Sequence, residues 1–221
     1  MTNNSSRIFA TAAGFEGGLG LLAWLIGWWL DVPPWQTLHW SIEAMLWGLA
    51  ATLPLIAALL LIDRYPFGPF RDLKRVVDNL VVPIFRGFRI WQFLILAVLA
   101  GVGEELLFRG LLQAGLAEFL QDRIAEPLAP WLALAVASVI FGLMHPITKT
   151  YAILCMLVGF YLGWLWIMTD NLLVPIVIHA AYDFVALVYL VKPDLVKRDI
   201  VKRAETIVAI NTEDDSGEEI N

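Results

Sequence analysis

Cysteine is almost absent. Cys155 is the only one, so no disulfide can close within the chain, and its apolar surroundings are those of a packing residue. Charge is scarce as well: 16% of the 221 residues are Asp, Glu, Lys or Arg, against about 25% in a soluble domain. No His-Glu-x-x-His occurs, so the usual helical signature of a zinc protease is missing. Low-complexity tracts and internal repeats are also lacking. Nor does a small-residue cleavage pattern follow the first apolar stretch, since Leu30 runs into Asp31-Val-Pro-Pro-Trp35. That stretch is therefore expected to be a retained helix rather than a signal peptide.

Apolar residues dominate instead, at 59% of the chain, with a mean hydropathy of +0.72. Several runs reach the ~20 residues that cross a bilayer as a helix. The expected class is all-α, a polytopic transmembrane bundle of about six helices over 8–30, 42–62, 90–116, 128–144, 151–168 and 172–191. Residues 1–191 are expected to form the membrane domain, and 192–221 a cytoplasmic tail, basic and then acidic and expected to be disordered at its end. The net charge of −6 comes from that tail, because 204–221 holds six acids and no base. The low pI thus reports a solvated terminus and not an acidic binding face. The bilayer is the expected surrounding, and nucleic acid is not an expected partner.

Lys and Arg collect in 63–89 and after Val191 and are nearly absent from 31–41, 117–127 and 169–171. With six helices this asymmetry puts both termini in the cytoplasm. Trp24, Trp28, Trp29, Trp35, Trp40 and Trp47 gather at the first outer loop as an aromatic belt. Residues 70–85 mix bases with apolar residues, and either an interfacial helix or a solvated connector accounts for them. Gly159 and Gly163 allow close helix contact. His39 reads as an ordinary surface histidine.

Three apolar segments carry ionisable residues, which are expensive in a bilayer and point at a wet cavity or at one another. In segment three, Glu105 and Arg109 are four apart and can pair. Glu104 is rotated by about 100° and is left free to act on water as a general base. Segment four ends Phe141-Gly-Leu-Met-His145, with Phe141 and His145 on one face. Segment six holds His179 and Asp183 on one face, where a carboxylate can fix an imidazole tautomer. Only the fold can bring these three sets together, as in bundle-core sites. Two mechanisms fit. Glu104 with His145 activates water while His179 and Asp183 handle the oxyanion on a peptide carbonyl. Alternatively Glu104, His145 and His179 ligate a divalent metal that activates the water. A non-catalytic membrane scaffold or immunity protein could use the same polar residues as a helix lock. The topology sets His145 at the cytoplasmic end of segment four and Glu104 mid-helix in segment three. A tilt, a shortened helix or an open wet cavity must therefore bring them to one depth.

Glu104-Glu105-x-x-x-Arg109, Phe141-x-x-x-His145 and His179-x-x-x-Asp183, in that order over about 100–185, resemble the CAAX prenyl protease and bacteriocin-processing family of intramembrane proteases. The resemblance implies a membrane endopeptidase acting on a membrane-associated peptide or protein. It implies Glu104 as the base for water, His145 as its assistant, His179 and Asp183 at the oxyanion, and Glu105, Arg109 and Phe141 in support. No cofactor is required by that scheme. Prenylated substrates are implied by the family's name alone.

Overall fold

A computed structural model describes residues 3–125 and 128–193, and these residues form an α-helical bundle with no strand among them. The helices are α1 (Asn3–Leu30), α2 (Ile42–Arg64), α3 (Pro69–Val76), α4 (Val82–Phe85), α5 (Ile90–Glu105), α6 (Ala114–Gln121), α7 (Leu128–Leu143), α8 (Lys149–Thr169) and α9 (Leu173–Val191). A π-helical turn, Val77–Val81, joins α3 to α4, and a longer π-helix, Leu106–Gln113, joins α5 to α6. Among the described residues five helices are long and apolar enough to span a membrane, and α5, the π-helix and α6 count as one of them. The six expected segments are all present. Of the tail expected over 192–221, residues 194–221 lie outside the described residues.

Local signals explain the helix ends. Ser41 and Thr148 cap α2 and α8 by accepting from the backbone N–H of Ala44 and Tyr151 at 3.0 Å each. Asp170 closes α8 in the left-handed region at φ 46°, a conformation that Asp tolerates better than most residues. The belt tryptophans are all exposed, Trp28, Trp29 and Trp40 by 75–79%, as an interfacial belt requires. His39 is exposed too.

The bundle closes through glycine. A Cβ on Gly101 would stand 2.9 Å from Ala180 N and 3.0 Å from Ile176 O, so α5 and α9 meet at van der Waals distance. A Cβ on Gly142 would overlap Met156 Cγ and Ala152 O, and one on Gly159 would come within 3.3 Å of Ser138 Cα. The Gly159/Gly163 pair therefore serves contact inside the chain, against α7 and the π-helix. Such small-residue contacts replace the hydrophobic drive that lipid cannot supply.

The 63–89 connector contains the 70–85 stretch. It is helical over most of its length, and one apolar stripe, Leu73, Val77, Val81 and Phe85, faces a cavity of its own chain. Leu80 and Ile84 point outward instead. Lys74 ties the connector to α2 through a hydrogen-bonded ion pair with Asp63 and also faces Asp78 at 3.6 Å. The Asp63 hydrogen bond holds the Lys74 ammonium above the usual lysine value.

Candidate active site

Glu104 and Glu105 end α5, and the π-helix begins with the next residue. A π-helix inserts an extra residue into the turn and is frequent at functional sites. Here Arg109 and Gln113 both turn toward α8, where Arg109 Nη2 donates to Gly159 O at 2.9 Å and Gln113 Nε2 donates to Gly163 O at 3.3 Å. The equal spacing shows that the π-helix and α8 run parallel. Neither carbonyl could be approached if its glycine carried a side chain pressed against Gln113 or Phe141.

Arg109 Nη1 donates to Glu105 Oε1 at 2.8 Å, and both side chains are buried, at 1% and 0% exposure. The guanidinium also lies over the Phe141 ring, 4.8 Å from its centroid. Glu105 Oε1 takes a second hydrogen bond, from His179 Nδ1 at 2.7 Å. Arg109, Glu105 and His179 therefore form one buried chain that links the π-helix, α5 and α9. His179 Nε2 then faces Asp183 Oδ2 at 3.6 Å. With Nδ1 turned to Glu105, Nε2 is the atom His179 presents to Asp183.

His145 is set by the end of α7. Its own backbone N–H bonds to Gly142 O, which leaves Phe141 O without its helical donor. His145 Nδ1 donates to that carbonyl at 2.7 Å. A carbonyl can only accept, so the proton of the neutral imidazole sits on Nδ1 and Nε2 is a free acceptor. Nε2 points at Glu104 Oε2 across 3.8 Å. That oxygen is buried and has no hydrogen-bond partner in the protein. Phe141 packs against this whole group, with its ring 4.7 Å from His145, 4.9 Å from Phe108 and 6.1 Å from His179.

The depth difference between Glu104 and His145 disappears because α7 is short. At ~1.5 Å per residue its 16 residues rise about 24 Å, less than the ~30 Å hydrocarbon core. It also starts from the far end of the long helix that runs Ile90–Gln121. Glu104 precedes Gln121 by as many residues as His145 follows Leu128, so an antiparallel hairpin sets them level.

Glu104, His145 and Asp183 line a cavity of about 490 Å³ whose other walls are mostly apolar. Tyr151 and Tyr182 also reach it, as does Glu16 from α1. Glu16 belongs to none of the three motifs, although an acid in a membrane helix is itself a functional signal. Gln113 and the π-helix were missed too, and no periodicity marks them. For the metal reading the donor set fits poorly. Among the described residues no three His, Cys, Asp or Glu side chains gather as a metal ion requires, and His179 is turned between Glu105 and Asp183 rather than toward Glu104.

Comparison with curated proteins and with solved structures gives no match. A family model does match: residues 86–185 fit the type II CAAX prenyl endopeptidase Rce1-like model. This stretch holds all three motifs and every residue of the Arg109–Glu105–His179–Asp183 chain. The chain is thus an integral membrane protein whose residues 86–185 are similar to the type II CAAX prenyl endopeptidases of that family model.

Proposed function

We propose that this protein is an intramembrane endopeptidase in which Glu104 activates water to cut a peptide bond in a membrane-associated peptide or protein. The observation that carries this reading is the Glu104–His145 pair. Glu104 Oε2 lacks a protein partner, and His145 Nε2, an acceptor held in place by Phe141 O, faces it across 3.8 Å. Two acceptors at that separation leave a place for a molecule that donates to both, and water is such a molecule.

In this scheme Glu104 takes a proton from the water while His145 orients it. The oxygen attacks the scissile carbonyl carbon, and negative charge develops on the carbonyl oxygen. Ionised Asp183 cannot donate to that charge. Its role is to orient His179, whose protonated Nε2 is the donor the site offers. Arg109 holds Glu105 in place, and Glu105 fixes the His179 ring, as a second layer of partners does for a reacting group.

The base-rich connector and the positive-inside rule support a cytoplasmic placement of both termini. The apolar walls of the cavity suit a substrate that is itself lipid-associated.

The test compares membrane-protein N-termini, by mass spectrometry, between cells carrying the wild type and cells carrying Glu104→Gln at matched abundance. N-termini made only by the wild type are the expected result. Identical sets, with a deletion phenotype that Glu104→Gln still rescues, would overturn the peptidase reading in favour of a scaffold.

A further inference from the structure

α1 lies outside the stretch that matches the family, yet it brings one acid into the cavity. Glu16 lines the same space as Glu104, His145 and Asp183. Its Oε2 is buried without a hydrogen bond, and so is Oε2 of Glu104, a residue only 7% exposed. The approach is built by glycine. A Cβ on Gly103 would overlap Glu16 O, and one on Gly20 would stand 3.5 Å from Gly103 Cα. The backbones of α1 and α5 therefore touch at the residue before Glu104. Glu104, Asp183, His179 and His145 all lie within electrostatic reach of Glu16.

Amide hydrolysis needs two proton transfers. One group takes a proton from water, and another gives one to the departing nitrogen, because an amide anion is too basic to leave. The other acids of the site are occupied. Glu105 holds Arg109 and His179. Asp183 faces His179, and Glu104 faces the water position beside His145. His145 spends its Nδ1 proton on Phe141 O. Arg109 does not give up a proton in proteins. Glu16 is the acid left with no assigned partner and an orientation into the cavity.

This step rests on the peptidase reading. We propose that Glu16 is a further catalytic residue, the general acid that protonates the leaving amine. Glu104 removes a proton from water, and the C–O bond forms. The tetrahedral intermediate then collapses with cleavage of the C–N bond, and the proton of the Glu16 carboxyl passes to the nitrogen. The proton held by Glu104 returns to Glu16 through cavity water, so the net change is amide plus water to carboxylic acid plus amine.

The test uses the full-length purified protein and a peptide bearing the cleavage site found from the new N-termini. A second peptide has sulfur in place of the scissile N–H. A thiol ionises near pH 8.5, so a thiolate departs without an acid. On the amide, Glu16→Gln is expected to fall by about 10²-fold or more and Glu16→Asp by less. On the thioester, Glu16→Gln is expected to match the wild type, while Glu104→Gln loses both substrates. Unchanged amide turnover in Glu16→Gln overturns the role, and so does an equal loss on both substrates, which marks a structural residue. A wild type that cleaves neither peptide overturns the peptidase reading and this role with it.

Discussion

Replacing Arg109 by alanine should destabilise the bundle more than any single change at an exposed position. Arg109 is 1% exposed and meets Glu105 at 2.8 Å, Gly159 O at 2.9 Å and the Phe141 ring at 4.8 Å. Its removal leaves the Glu105 carboxylate, at 0% exposure, with His179 as its only hydrogen-bond donor. Breaking a buried pair from one side costs about 3–5 kcal/mol, because the remaining charge stays uncompensated. For a chain of this size that is a fall in Tm of roughly 6–20 °C. Removing both charges with Arg109→Leu and Glu105→Leu should recover much of the loss, since an apolar replacement of a buried pair is often close to neutral. The double variant should still be inactive, because His179 Nδ1 has lost its acceptor. Thermal unfolding in detergent of the two single variants and the double variant gives the coupling directly. The reasoning fails if Arg109→Ala melts within about 1 °C of wild type, or if the double variant is less stable than either single one.

Glu104→Gln should abolish cleavage, by about 10²-fold or more, while the melting temperature stays near that of the wild type; a variant that unfolds would point to a structural carboxylate instead. Gly142→Ala should cost about 1–3 kcal/mol by overpacking, because its Cβ would overlap Met156 Cγ and Ala152 O. Gly14→Ala has nothing within 4 Å and should be neutral or stabilising by about 0.5–1 kcal/mol; parallel melts compare the two. Lys74→Met should lower stability by an amount that does not change between pH 7 and 9. Lys74 is held above its ordinary value by Asp63, so its contribution is complete below the unfolded lysine value near 10.4. That contribution disappears only as pH rises through the higher folded value. A difference that drifts across that neutral range in pH-resolved melts would count against the Lys74–Asp63 tether.

Much of the architecture follows from local rules that a sequence carries in full. The six apolar segments depend on hydropathy and on neighbours within a few residues, and each is a helix in the structure. The pairing of Glu105 with Arg109 was legible for the same reason, since a spacing of four residues sets a helical face. The 70–85 connector was not, because an amphipathic stripe shows that a face is buried without showing what buries it. The cavity it faces is walled by α1, α2, α5, α8 and α9 together. The same limit hid the π-helix, which answers to the carbonyls of Gly159 and Gly163 fifty residues away.

The meeting of Glu104 and His145 belongs to the tertiary structure alone, because it depends on how far a long helix overshoots its short partner before the hairpin turns. Glu16 makes the same point from the other end of the chain. As a residue it is one acid in a glycine-rich apolar helix, and only the contact of α1 with Gly103 brings it into the cavity. Sequence by itself determined the membrane helices, their order and the charged pairs that lie on one helical face, because those are short-range properties. The tertiary structure decided which acid faces which imidazole, because that is settled by close approach of backbones distant in the chain, at positions where only glycine leaves room.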